Sequence, residues 1–297
     1  MKQLLNRRDI LTASALAPLA ALAQTPARLP IKKGVLLSML NNKLSFNERF
    51  QLAKDTGFEA IEAGTAASIE EAVQIRQASE KSGIPIHSVM NMSHWKYPLS
   101  SADSSVVAES VKGMKTSLEQ ASMWGAQTVL LVPAVVNAQT SYADAWTRSQ
   151  TEIRKMIPMA EKLKVIIAVE EVWNKFLLSP LEFVRYIDDF KSPWVRAYFD
   201  VGNVVLYGYP QDWIRTLGKR IIRLHLKDFT FRRDATVKKT VADFVNLRDG
   251  EIDWKQIHAA LKEIGYSGFA TVELGGDGQA DYLKDVNRRF ELILNGE

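Results

Sequence analysis

Between residues 35 and 294 the chain repeats one pattern eight times: a short apolar run, a polar turn, then a segment with amphipathic helical spacing. The apolar runs are near-continuous rather than alternating, as in strands buried on both faces, and an intervening helix excludes a simple hairpin between neighbours. The predicted strands cover 35–39, 59–62, 84–90, 128–132, 165–169, 195–199, 221–226 and 269–272. Helix starts are marked by Ser45-x-x-Glu48 and Ser68-x-x-Glu71, which have capping-box spacing, by Ser179-Pro180-x-Glu182 and by Pro210. Further helices are expected over about 104–124, 142–163, 254–264 and 280–294. An open doubly wound sheet is the competing arrangement. Its dinucleotide-binding form needs a glycine-rich turn after the first strand, and Ser38-Met39-Leu40-Asn41 is not one. The expected fold is therefore α/β, a (β/α)8 TIM barrel forming a single domain over 33–297, in line with the roughly 250 residues such barrels take.

The first 23 residues read differently. Asn6-Arg7-Arg8-Asp9-Ile10-Leu11 precedes an apolar stretch too short to span a bilayer, and Ala21-Leu22-Ala23 forms a small-x-small cleavage site before Gln24. This is a signal peptide, and twin arginines followed by Ile10 and Leu11 point to the twin-arginine route, with an ordinary secretory signal as the alternative. Residues 24–32 are expected to form a short N-terminal segment. The mature protein is expected in the periplasm or outside the cell. Half of the formal charge of +4 belongs to the leader, with Lys2, Arg7 and Arg8 set against Asp9. What remains forms neither a nucleic-acid stripe nor a membrane-binding helix, so neither nucleic acid nor stable membrane association after export is expected. The absence of cysteine excludes disulfides, thiolate metal sites and a cysteine nucleophile. A small-molecule carbohydrate is the expected partner, and a homo-oligomer is compatible with the sequence.

Four of the predicted strands end in groups that bind metals. Glu170 follows VIIAV, Asp200 ends VRAYFD, His225 lies in IIRLHL and Glu273 follows FATV. In a closed barrel the C-terminal strand ends open into one mouth, so residues far apart in sequence become neighbours. Any one of these carboxylates alone would read as a solvated loop charge; three of them with one histidine on four adjacent strands predict one divalent metal ion. Oxygen-rich coordination with a single imidazole favours Mn2+, with Mg2+, Co2+ or Zn2+ also compatible. Glu170 and Glu171 point opposite ways if the strand continues that far. Glu170, the first residue after the apolar run, is the predicted ligand.

The residues around these four carry a family resemblance. Val169-Glu170-Glu171-Val172-Trp173-Asn174-Lys175-Phe176-Leu177-Leu178-Ser179-Pro180 resembles the sugar phosphate isomerase/epimerase group of xylose-isomerase-like barrels, related to ketose 3-epimerases. So do Asp200-Val201-Gly202-Asn203, His225-Leu226-Lys227-Asp228 and Asp249-Gly250-Glu251-Ile252-Asp253-Trp254. The resemblance covers nearly all of the chain after the leader. It implies a divalent-metal-dependent isomerase or epimerase that moves a proton alpha to a carbonyl through an ene-diolate, with Glu170 and Glu273 as catalytic proton relays as well as ligands. The chain departs from the ketose 3-epimerase pattern at Asn203, where those enzymes commonly carry histidine, and at Phe176 and Leu177, near which they carry glutamate. Export adds a second reading, a 3-keto-glycoside lyase using the same metal site. A non-catalytic sugar-binding protein is the third.

Other residues are expected at the mouth as substrate contacts. Lys227 is two residues beyond His225 and so on the same face, unless it simply pairs with Asp228. Asn203 contacts substrate or caps its turn. Trp173 and Trp95 stack on a sugar or pack in loops. Glu62, ending the second strand, reaches the mouth or is solvated. Arg232 and Arg233 lie in a segment before Trp254 that reads as a lid able to grip an anion. His94 is placed in the loop after the third strand as a substrate contact, His87 in the core and His258 on a surface helix. Four histidines cannot build the histidine-rich three-zinc cluster of related endonucleases.

Overall fold

The structure is a computed structural model that describes residues 27–234 and 239–297, with side chains omitted over 232–242. Eight strands close into a parallel barrel. In chain order the elements are β1 (Ile31–Leu36), α1 (Phe46–Asp55), β2 (Ala60–Gly64), α2 (Ile69–Ser82), β3 (Ile86–Met90), α3 (Ser104–Trp124), β4 (Thr128–Leu131) and α4 (Tyr142–Leu163). They continue with β5 (Ile166–Glu170), α5 (Pro180–Asp188), β6 (Val195–Asp200), α6 (Pro210–Leu217) and β7 (Ile221–Leu226). A hairpin of β8 (Asp228–Asp234) and β9 (Lys239–Val245) precedes α7 (Trp254–Glu263), β10 (Gly268–Val272) and α8 (Ala280–Leu294). Around the barrel the order is β1-β10-β7-β6-β5-β4-β3-β2.

The helix starts form where the sequence places them. Ser45 accepts from the Glu48 amide while Glu48 reaches back to the Ser45 amide at 2.8 Å, a complete capping box. At Ser68 the return arm is displaced: Glu71 accepts from the Ala67 amide at 2.7 Å. Ser179 caps α5 with Pro180 in the first turn. The barrel itself begins at Ile31, earlier than expected, because Leu29 and Ile31 are buried and the Leu29 amide donates to the Leu294 carbonyl at the end of α8. Residues 37–39, expected to continue the first strand, instead form a single 3-10 turn. The predicted leader over 1–23 lies outside the described residues.

Between helices and barrel, Phe50, Phe183, Tyr186, Trp213 and Phe290 are fully buried, each worth roughly 1.5–3 kcal/mol of hydrophobic burial. Inside the barrel the filling is polar near the mouth. Glu62, Tyr198, His225 and Thr271 form one fully buried layer, and beneath it His87 stacks on Phe269 with ring centres 4.6 Å apart. His87 is the core residue expected; its Nε2 lies 2.8 Å from Thr271 Oγ1. His258 is not on a surface: it is buried against the N-terminal segment, 3.2 Å from the Ala27 carbonyl. Among the described residues, no helix is long and apolar enough to cross a membrane.

The segment expected as a lid folds as the β8–β9 hairpin, paired antiparallel from Asp228 opposite Val245 to Asp234 opposite Lys239. Its root is Asp228, fully buried, which accepts hydrogen bonds from the amides of Phe229, Arg248 and Ile252 and from the Trp254 indole at 2.8–3.3 Å. Gly250 passes so close that a Cβ there would meet Asp228 Oδ1 at 2.1 Å, which is why the Asp249-Gly250-Glu251 turn needs a glycine.

Candidate active site and metal centre

The four strand-end residues meet. Glu170 closes β5, Asp200 closes β6, His225 is the penultimate residue of β7 and Glu273 follows β10. Asp200 and His225 are register partners, and one donor atom from each of the four residues lies within 4.8 Å of all the others. His225 Nδ1 is 2.9 Å from Glu170 Oε1, 3.2 Å from Glu273 Oε2 and 3.8 Å from Asp200 Oδ2.

The loops fix these side chains locally. Asp200 Oδ1 accepts from the Gly202 and Asn203 amides at 2.7 and 2.9 Å, an Asx turn that leaves Oδ2 facing the cluster. A Cβ at Gly202 would strike Lys227 Cγ at 2.4 Å, so glycine makes room for the lysine. Glu171 turns away from the cluster, as strand alternation requires, and accepts from the Asp200 amide at 2.9 Å. Burial, with Glu170 and Asp200 adding to it, pushes the Glu171 carboxyl well above its usual range. Glu171 therefore positions Asp200 rather than joining the four.

The electrostatics divide the two glutamates. Burial raises Glu170 to about 7 against the opposing pull of His225. Burial also acts on Glu273, but the positive charges of His225 and Lys227 outweigh it and hold the carboxyl well below the usual range. Lys227 is buried, yet Asp200, Glu273 and Glu170 keep its ammonium firmly charged. It does not pair with Asp228: its Nζ donates to Glu273 Oε2 at 2.7 Å, lies 2.9 Å from Asp200 Oδ2 and sits 4.9 Å from the Phe244 ring centre.

These residues fit a hard divalent cation. Three carboxylates and one imidazole nitrogen converge, and Asp200 Oδ2, buried, has no hydrogen bond of good geometry even beside Lys227.

The mouth above the cluster is a cavity of about 180 Å³. Glu170, Glu273, Lys227, Asn203, His94, Trp95 and Trp173 all line it, so most of the expected contacts are brought together. Asn203 lines the cavity, and its Nδ2, rather than capping its own turn, donates to the Glu171 carbonyl at 2.9 Å. Trp173 donates from Nε1 to the Asn203 carbonyl at 2.9 Å and stacks on Phe244, with ring centres 4.9 Å apart and planes 18° from parallel. His94 is buried, accepts from the Val132 amide at 3.3 Å and is lowered by burial to about 4, so it is neutral at physiological pH. Of Arg232 and Arg233 only the backbone, in β8, is described.

Two placements differ from expectation. Glu62 is not at the mouth. It sits inside β2, fully buried, with Oε2 3.2 Å from His225 Nε2 and bonded by the Tyr198 hydroxyl, because β2 runs on past it to Gly64. Phe244 was not singled out by sequence. It reaches the cavity through the alternating pattern of β9, which places its ring against Trp173 and Lys227.

Known proteins share this fold. Residues 50–291 match the family model described as "Xylose isomerase-like TIM barrel". The L-ribulose-5-phosphate 3-epimerase UlaE of Escherichia coli K12 is 24% identical over 257 residues, covering 83% of this chain and 88% of that protein. A solved 3-keto-D-glucoside 4-epimerase, YcjR from E. coli, superposes with a TM-score of 0.72 at 13% identity, covering 87% of this chain and 98% of that one. A xylose isomerase-like TIM barrel protein from Mycobacterium smegmatis, in complex with magnesium, superposes with a TM-score of 0.68 at 16% identity, covering 90% and 97%. With a family model spanning most of its length and a closed barrel of matching architecture, the chain belongs to the xylose isomerase-like TIM barrel family.

Proposed function

We propose that the protein is a metal-dependent sugar isomerase or epimerase that moves a proton alpha to a carbonyl through an ene-diolate. The observation that carries this reading is the pair Glu170 and Glu273, which flank the His225–Asp200 pair and line the cavity with their carboxyls in contrasting environments. Two carboxyls on either side of the His225–Asp200 pair, both open to one cavity, are placed for the two halves of a proton transfer. A divalent cation, Mn2+ first and Mg2+, Co2+ or Zn2+ through the same donors, would be held by Glu170, Asp200, His225 and Glu273 and would supply Lewis-acid polarisation of the substrate carbonyl.

The protein groups do the rest. Glu273, which accepts a hydrogen bond from the Lys227 ammonium, takes the carbon-bound proton on one face, and Glu170 is the acid–base group on the other. Lys227 faces the cavity beside Glu273 and hydrogen-bonds oxygen as negative charge develops. Trp95 and the Trp173–Phe244 stack offer the sugar ring apolar walls. UlaE is a 3-epimerase of a ketose phosphate by name, which supports proton transfer beside a ketone as the common step.

A second reading has its own support. The positions where ketose 3-epimerases hold substrate with histidine and glutamate are occupied here by structural groups: Asn203 bonds the Glu171 carbonyl, and Phe176 is buried against Tyr142, Trp146 and Tyr186. An exported 3-keto-glycoside lyase would use the same first step. Glu273 removes the C2 proton alpha to the C3 ketone, the electron pair forms the C1–C2 double bond, the C1–O bond breaks, and the aglycone leaves as an alcohol with a proton from Glu170. The twin-arginine leader and a periplasmic or secreted location belong to this proposal. Mass spectrometry of the exported protein should find its N-terminus at Gln24.

Incubating the Mn2+-loaded protein with ketoses, ketose phosphates and 3-keto-glycosides in D2O tests the function. Exchange of the alpha proton without release supports the isomerase or epimerase, and aglycone release supports the lyase. Neither exchange nor aglycone release with any of them refutes both and leaves a binding protein.

A further inference from the structure

We infer that Glu62 is a positioning residue for the metal centre: with Tyr198, it holds the His225 imidazole so that Nδ1 presents its lone pair to the cluster and Nε2 carries the proton. This inference rests on the proposed metal site.

The two ring nitrogens of His225 face different surroundings. Nδ1 is turned toward Glu170, Glu273 and Asp200 at 2.9, 3.2 and 3.8 Å. Nε2 is turned into the barrel, where Glu62 Oε2 is the carboxylate oxygen within reach, at 3.2 Å. A metal-ligating histidine needs one nitrogen bare and the other protonated, and a carboxylate on the far nitrogen enforces that tautomer and raises the basicity of the ligand. Glu62 is itself held. Tyr198 donates its hydroxyl to the same Oε2 and packs its ring against the imidazole, with centres 4.5 Å apart and planes at 51°. Thr271, the register partner of His225 on β10, lies 3.5 Å from the Tyr198 hydroxyl and 2.8 Å from His87 Nε2, so the brace continues into the barrel filling.

Stability alone does not account for this glutamate. Glu62 is fully buried, no lysine or arginine is paired with it, and its Oε1 has no hydrogen-bond partner among the described residues. Burying a carboxylate with half of its acceptors unused is destabilising, and replacement by a neutral group of the same shape is often neutral or stabilising. A group that costs stability, set against the far nitrogen of a candidate ligand imidazole, is expected where site geometry depends on it.

The test uses Glu62→Gln, which preserves shape and removes the charge, and Tyr198→Phe, which removes the second hydrogen bond. Mn2+ affinity is measured by electron paramagnetic resonance, and the thermal midpoint is measured on the metal-free proteins. Glu62→Gln should weaken Mn2+ binding about 10- to 100-fold while the metal-free midpoint stays level or rises, and Tyr198→Phe should weaken binding less. A purely structural role would lower the midpoint and leave the affinity of the folded protein unchanged; that result overturns the inference. Wild-type protein that fails to bind Mn2+ overturns the metal site itself, whereas wild-type binding matched by Glu62→Gln overturns only the role of Glu62.

Discussion

The two halves of the barrel mouth are built on different plans. Strands β5, β6, β7 and β10 are contiguous and deliver Glu170, Asp200, His225 and Glu273. Strands β1 to β4 make up the other half, and their contributions to the cavity are apolar or neutral: Met90, Leu130 and, from the loop after β3, His94 and Trp95. The exception is Glu62 of β2, which crosses the interior to reach His225 from behind. The contrast separates two tasks. In the proposed function one half gathers the charge that would move protons and hold a cation, and the other shapes the space. Charge placed on a single arc of the rim also lets one cation satisfy several carboxylates, which no arrangement spread around the whole rim would allow.

The division is broken most directly on the charged side. Glu273→Gln should lower turnover about a thousandfold or more, the scale of a lost acid-base group, with the circular dichroism spectrum unchanged. Turnover within a few fold of wild type would remove Glu273 from the chemistry. The next effect is on stability. Glu170 is raised to about 7 in the metal-free chain, chiefly by burial, so its folded value lies above its unfolded one. Its contribution is present at low pH and is lost as pH rises through about 7, by at most about 3 kcal/mol. Metal-free protein should therefore melt at lower temperature at pH 8 than at pH 6. Bound metal requires deprotonated ligands and should reverse that trend. A metal-free midpoint that climbs from pH 6 to pH 8 would contradict the burial account of Glu170.

Smaller effects are expected where walls rather than charges are removed. Phe244→Ala deletes one face of the aromatic stack, worth about 0.5–1.5 kcal/mol, and should raise KM up to about tenfold with kcat nearly intact. A loss confined to kcat would mean that the stack acts on the reacting atoms. The smallest effect belongs to His94. Burial lowers it to about 4, so it stays neutral from pH 5 to 8, and His94→Gln should leave the shape of the pH–rate profile unchanged. Disappearance of an inflection near pH 6.5 would show that the neutral half carries a titrating group after all.

Sequence reached much of this structure because its signals were local. Ser45, Ser68 and Ser179 each mark a helix start through bonds made within a few residues, Pro210 marks one through its fixed φ at the first turn, and the covered parallel strands announce themselves as apolar runs. The four ligand candidates were legible for the same reason, since each is the polar residue that ends such a run. What escaped depends on partners distant in the chain. Glu62 reads as a strand-end acid until β2 is seen to continue to Gly64 and Tyr198, 136 residues away, is seen to bond it. His258 falls on an amphipathic helix, but the N-terminal segment covers it. The hairpin left a signal that could have been used: Phe229 and Phe231 alternate with Thr230 and Arg232, a period of two in a stretch read only as a lid. Finding Phe244 at the mouth needed that hairpin first.

The central claim is that the charged arc holds one divalent cation. Crystals grown with Mn2+, with diffraction collected at a wavelength where manganese scatters anomalously, test it without reference to any substrate. The account predicts one anomalous peak per chain, bonded to Glu170, Asp200, His225 through Nδ1, and Glu273, and no such peak in Asp200→Asn crystals. A wild-type map with no peak at these four residues, or with its peak elsewhere on the barrel, would contradict it.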